Sequence, residues 1–282
     1  MIAAPLGRCL LDPETLARPR AQIRLVEAEP GASLARLYEV GVRAARAPWV
    51  ALLESHSLPS EQWAGALLAA HGAGWDVVGS AMENGNPGSA VSWASFILMY
   101  GPWISIEAGP GDDLPGHHSS YGRELLLSHG PRLGALLESA TALHRDLAGR
   151  GCRLYLEANA RVAHVNPSRL GSFCRELFWY GRLFAGRRLP PAARLQRLLY
   201  AAGAVIVPLL RCRRVLPLYR QIGRRRRLPR LTWAALVLGL IASAGGEMAG
   251  YALGIGPALE QLRAIDERRL DLLRPQDREL LA

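Results

Sequence analysis

Residues 44–71 read A-A-R-A-P-W-V-A-L-L-E-S-H-S-L-P-S-E-Q-W-A-G-A-L-L-A-A-H. The apolar run from Trp49 to Leu53 is too short for a helix and predicts a buried strand. It ends in Glu54-Ser55-His56. Pro59 stops the extended segment, and Ser60-Glu61-Gln62-Trp63 opens a helix that reaches about His71. In extended backbone, residues two apart point the same way, so Glu54 and His56 are expected to face one crevice at the carboxyl end of the strand. Open α/β sheets bind their ligands at that end. The alternative is a polar strand end closed off by a loop.

Working upstream, Ser33 can cap a helix through about Ala45, with Leu34, Leu37, Val40 and Gly41 on one face. Gln22–Glu27 is a short strand candidate, and residues 1–20 read as loop or as the remains of an element whose beginning is absent. Downstream, Asp76–Ala81 (D-V-V-G-S-A) predicts another buried strand. The alternation of strand and helix argues for a parallel α/β sheet. From Met82 to Tyr121 the composition turns to Gly, Pro, Asn, Ser and aromatics, including E-N-G-N-P-G-S-A-V-S-W-A (83–94) and L-P-G-H-H-S-S-Y (114–121). A loop of that length usually carries function. Its rings, Trp93 among them, suit stacking on a sugar or a nucleotide. Helices are expected at 123–127, at 136–150 with Gly151 closing the end, and at 172–188 with Phe173, Leu177, Tyr180 and Phe184 on one face. Strands are expected at 153–156 and 160–164.

The last third changes character. Leu195–Leu210 is apolar but interrupted by Pro208, Arg211–Arg230 holds nine arginines, and Leu231–Gly254 is apolar again around Gly245-Gly246-Glu247. A spanning helix needs about 20 apolar residues. Two helices that dip into one leaflet account for these segments better than two spans, with Glu247 facing protein or headgroups. Residues 260–282 predict a charged amphipathic helix. The chain of 282 residues carries a net charge of +10 with no lysine, and the arginines crowd between 182 and 230. Arginines beside apolar segments point to a membrane surface rather than to nucleic acid, for which no recognisable module is present. Four scattered cysteines form no CxxC pair and read as reduced thiols. The opening residues are expected to lack a secretory leader.

The corner A-R-A-P-W-V-A-L-L-E-S-H-S-L-P-S-E-Q-W resembles the metal-binding corner of family-2 glycosyltransferases of the GT-A fold, with Glu54-x-His56 in place of the acidic D-x-D pair. The 83–94 segment, the 114–121 box, G-R-x-x-A-x-R at 181–187 and G-E-x-x-G-Y-x-x-G at 246–254 are similar to a bacterial, membrane-associated subset. The resemblance implies an α/β GT-A-like mixed sheet flanked by helices, with membrane-associated helices after it. It implies that Glu54, His56 and His164 hold a divalent cation, Mn²⁺ or Mg²⁺, on the donor diphosphate. Imidazole among the ligands favours Mn²⁺. Glu138 is implied as the general base, and Arg182 beside the leaving diphosphate. His117, His118 and Trp93 are implied on the acceptor side.

The family's first strand, helix and second strand have no match here, so the chain is expected to begin near the third strand. The expected division is an N-terminally incomplete transferase domain over 1–190, membrane-associated helices with an Arg-rich connector over 191–256, and a charged tail over 257–282. The expected activity is inverting, metal-assisted transfer of a sugar from a nucleotide-diphosphate donor to a lipid-linked or polysaccharide acceptor at the cytoplasmic membrane face. The alternatives are a non-catalytic module that binds membrane or a partner, and, more weakly, a metal-dependent hydrolase.

Overall fold

The computed structural model describes residues 2–5, 24–104, 107–190 and 193–279. They form two compact units, one of residues 1–82 and 105–162, the other of 83–104 and 163–282. The first holds most of the β structure. Strands β1 (Ile2–Pro5) and β2 (Leu25–Ala28) pair in parallel as a small separate sheet, so residues 2–5 are strand where the sequence suggested loop. Residues 6–23, with Cys9 and the start of the Gln22 strand candidate, lie outside the described residues.

Helix α1 (Leu34–Ala44) starts where expected, with Ser33 Oγ accepting from the Arg36 amide at 3.2 Å. Strands β3 (Trp49–Ala51), β4 (Ser57–Pro59), β5 (Val77–Asn84), β6 (Gly109–Pro110), β7 (Ser119–Gly122) and β8 (Leu154–His164) make a six-stranded sheet. Its order is β3-β7-β5-β8-β4, with β6 on β8. β7 runs antiparallel to both β3 and β5, so the sheet is mixed, as the resemblance implied, and not parallel as the strand–helix alternation alone suggested. S-S-Y-G, a short polar strand with no apolar pattern of its own, fits between β3 and β5. Helix α2 (Trp63–Gly72) packs Leu67 and Ala70 on Val78 and Ala160. Its Trp63 Nε1 donates to Ser80 Oγ at 2.9 Å.

Several boundaries moved for identifiable reasons. Helix α3 (Ala90–Tyr100) occupies the stretch expected to be loop. Ser89 caps it, accepting from the Val91 and Ser92 amides, and the aromatics are its buried side rather than loop decoration. After α4 (Arg123–Leu127), the helix expected over 136–150 is two, α5 (Leu133–Leu137) and α6 (Ala140–Gly149). Ser139 divides them by turning extended and capping the Ala142 amide. The two strands expected at 153–164 are the single β8.

The second unit is mainly helical: α7 (Leu170–Arg188), α8 (Arg194–Gly203), α9 (Val207–Arg225), α10 (Thr232–Leu253), α11 (Ala258–Glu267) and α12 (Pro275–Glu279). The Arg-rich connector is thus largely helix α9, and Pro208 opens it in its first turn, where no amide is needed. The charged tail is broken into α11, a 3₁₀ turn and α12. Helices α7 and α10 lie against each other through small residues. A Cβ on Gly246 would collide with the Phe178 carbonyl, one on Gly250 with that of Arg182, and one on Gly181 with that of Ser243. Glycine inside a helix costs about 1 kcal/mol, offset here by backbones close enough for dispersion and Cα–H···O contacts. This also moves the buried stripe of α7 to Phe173, Gly181 and Ala185, while Tyr180 and Phe184, expected inside, are exposed. Glu247 faces protein, its carboxylate 2.6 Å from Arg211 of α9. Helix α10 is apolar enough to cross a membrane, but half of its apolar window is buried in the protein.

Candidate metal centre

β3 lies on one edge of the six-stranded sheet and β4 on the other, so residues 52–56 carry the chain across the strand ends. Leu52 extends the ladder, its amide donating to Ser119 O at 3.0 Å. A turn then follows, closed by the Ser57 amide on Glu54 O at 3.1 Å. Glu54 and His56 are therefore brought together by a turn, not by the two-residue period of a strand. His56 Nε2 stands 3.5 Å from Glu54 Oε2. The Glu54 side chain keeps only 12 % of its exposure.

The 114–121 box supplies the rest of the surroundings. Gly79 of β5 leaves the space that Leu114 and Pro115 fill, which seats the box on the sheet. The 3₁₀ turn Gly116–His118 then aims two imidazoles at the same carboxylate. His117 Nδ1–H donates to Glu54 Oε1 at 2.8 Å, and His118 Nε2 lies 3.6 Å from Oε2 and 2.7 Å from Ser57 Oγ. Expected on the acceptor side, both histidines stand against Glu54. The two carboxylate oxygens are thereby distinguished: Oε1 is held by His117, while Oε2 faces His56 and His118.

His164 is the last residue of β8. Its ligating atom and those of Glu54 and His56 lie within 4.8 Å of one another, and this group could hold a metal ion. The donor set, one carboxylate and two imidazoles, is one that divalent transition metals accept. Asn166 orients the third ligand, since its Oδ1 takes a hydrogen bond from His164 Nδ1 at 2.9 Å and the ring is fixed with Nε2 as the ligating nitrogen. Asn166 is itself locked. Its Nδ2 donates to Asn84 Oδ1 at 3.1 Å, and its carbonyl accepts from Asn86 Nδ2 at 2.8 Å. Ser92 Oγ lies 2.9 Å from both Asn84 Oδ1 and Asn86 Oδ1. This buried amide network was not read from the sequence; its only signal was N-G-N at 84–86 and the lone Asn166 after the strand.

The remaining expected residues are placed as follows. Glu138 is exposed at the end of α5. Gly116 packs on Ala140, so the turn carrying His117 and the segment carrying Glu138 are neighbours. Arg182 Nε donates to Gly254 O at 3.1 Å, closing the end of α10. Trp93 is buried in α3 with its indole N–H on Pro87 O at 2.9 Å. Cys152, Cys174 and Cys212 are free thiols whose pKa burial pushes up.

A second buried chain braces the box. His144, fully buried, donates from Nδ1 to Asp113 Oδ1 at 2.7 Å and accepts at Nε2 from the Tyr121 hydroxyl at 2.9 Å. Burial dominates and holds the His144 pKa below its usual value against the pull of Asp113; burial likewise pushes the Tyr121 hydroxyl up. His71 stacks on Trp49 with ring centres 3.8 Å apart. It hydrogen-bonds to Trp75 O at 2.8 Å and to Ser120 Oγ at 2.9 Å. Compared with protein-family models and with curated proteins, the sequence matches none.

Proposed function

We propose that this chain is a glycosyltransferase that moves a sugar from a nucleotide-diphosphate donor to a lipid-linked or polysaccharide acceptor at the cytoplasmic face of a membrane, assisted by a divalent cation. The observation that carries the proposal is the convergence of Glu54, His56 and His164 within 4.8 Å. The mixed α/β sheet, with the corner strung across its strand ends, is compatible with such an enzyme. Glu54, His56 and His164 would hold the cation, and two imidazoles beside one carboxylate favour Mn²⁺ over the oxygen-seeking Mg²⁺. When bound, the cation supplies positive charge to the donor diphosphate.

The chain's own residues divide the remaining work. His117 fixes the Glu54 carboxylate through Oε1, and His118 and Ser57 hold the floor beside Oε2. Glu138, exposed next to the His117 turn, is the proposed base. It takes the proton of the acceptor hydroxyl as that oxygen bonds to the anomeric carbon. The bond from that carbon to the diphosphate oxygen breaks in the same displacement, and its electron pair leaves with the diphosphate. Attack opposite the leaving group inverts the sugar.

Calorimetric titration of the purified chain with UDP- and GDP-sugars, with and without Mn²⁺, tests the proposal. Metal-dependent donor binding that is lost in Glu54→Ala and His56→Ala is the expected result. Absence of both metal and donor binding would leave a closed polar cluster in a non-catalytic chain.

A further inference from the structure

Between Glu176 and Glu247 there is no aspartate or glutamate, yet the same stretch holds 14 arginines. Within it, Leu195, Leu198, Leu199, Val205, Ile206 and Leu209 recur at helical spacing from α8 through the break into α9, and each is more than half exposed. The stripe therefore continues across the joint between the helices, although the two axes bend by 55°. Both helices pack their other sides on α10. There Arg197 Nε donates to Tyr251 O at 2.8 Å, and Arg211 Nη1 to Ser243 Oγ at 2.9 Å. The exposed arginines lie further along: Arg213, Arg214, Arg220, Arg224–Arg227 and Arg230.

We propose that the α8–α9 elbow is a docking surface for an anionic lipid bilayer, lying in the plane of the interface with its leucine stripe among the acyl chains and the arginines of α9 among the headgroups. Charge complementarity selects this occupant. A second copy of the chain would bring the same acid-free, arginine-rich surface against itself, whereas an anionic leaflet answers every exposed guanidinium. An exposed apolar stripe of this size marks a place that water does not normally cover. By length and composition the bent pair could also be a broken span, but the six arginines within α9 favour the interface, and the bend lets both helices follow a surface. The surface stands on these observations alone and does not depend on the transferase reading.

Co-sedimentation of the full chain with vesicles of phosphatidylcholine, alone or mixed with phosphatidylglycerol, tests it. The wild-type chain should pellet with the anionic vesicles, be released by high salt or alkaline carbonate, and remain largely in solution with neutral vesicles. Replacing Arg224–Arg227 by Gln should weaken anionic binding by about 100- to 1,000-fold. Leu198→Glu with Leu209→Glu should weaken it by at least about tenfold while the thermal melt is unchanged, because both side chains already face water. Glu54→Ala should bind vesicles like the wild type, which separates this surface from the metal centre. Equal binding to neutral vesicles, resistance to carbonate, full binding by the double Glu variant, or a dimer that the double Glu variant dissolves without loss of vesicle binding would each overturn the proposal.

Discussion

Two of this protein's largely buried carboxylates are answered in opposite ways. Glu247 keeps 4 % of its side-chain exposure and meets Arg211, a cation that never gives up its charge, at 2.6 Å. Glu54 keeps 12 % and meets His56, His117 and His118, at 3.5, 2.8 and 3.6 Å. A guanidinium closes a carboxylate and makes it part of the framework. Imidazoles orient a carboxylate without closing it as a guanidinium does. On the proposed reading, the difference is that between a framework acid and a metal ligand.

The largest effect is expected at the functional acid. Glu54→Ala should reduce Mn²⁺ affinity by at least about 100-fold in calorimetry, while the thermal melt moves little. A large loss of stability with no change in metal binding would erase the contrast. Arg211→Ala should do the reverse. It strands a buried carboxylate and should lower unfolding free energy by about 2–3 kcal/mol in urea titration, less than for a fully buried pair because Arg211 is itself a third exposed. Metal affinity should not change.

Acid should act mainly on the histidine-bearing sheet unit. Burial holds the pKa of His71, His129 and His144 below the ordinary 6.5. The unfolded chain then takes up protons that the folded state refuses. Stability should therefore fall as pH drops below about 6.5, by at most about 1.4 kcal/mol per pH unit for each group, and level off once the folded-state values are passed. Urea titrations at stepped pH measure this; Glu247, whose pKa burial raises, should act in the opposite sense, since the folded state takes up its proton before the unfolded chain does. The smallest effect is a gain. A methyl group on Gly245 meets nothing closer than Phe178 Cδ2 at 3.9 Å, so Gly245→Ala should add about 0.5–1 kcal/mol. Its neighbour Gly246, pressed on the Phe178 carbonyl, has no such room.

Much of this was legible in the sequence where the signal is local. Ser33 announced α1 and the D-V-V-G-S-A run announced β5, while Glu54, His56 and His164, implied together by the resemblance, form a group that could hold a metal ion. What stayed hidden depends on partners distant in the chain. The place of β7 between β3 and β5 was not read, because this polar strand has no apolar pattern of its own. Helix α3 was taken for loop because Gly, Pro and Asn just before its Ser89 cap coloured the whole stretch. His117 and His118 belong to Glu54 only through the seat that Gly79 provides under Leu114 and Pro115, and a missing side chain leaves no trace in a pattern of residue types.

The stack of Trp49 on His71 has an optical consequence. An imidazolium held against an indole quenches its fluorescence, whereas a neutral imidazole does so far less. Trp49 lies 3.8 Å from a ring whose pKa burial lowers. The emission of this one indole, isolated by subtracting the spectrum of Trp49→Phe, should therefore stay bright just below the ordinary histidine pKa of 6.5 and dim at lower pH as the stacked ring takes up its proton. The strand that begins the Glu54–His56 corner thus carries its own lamp.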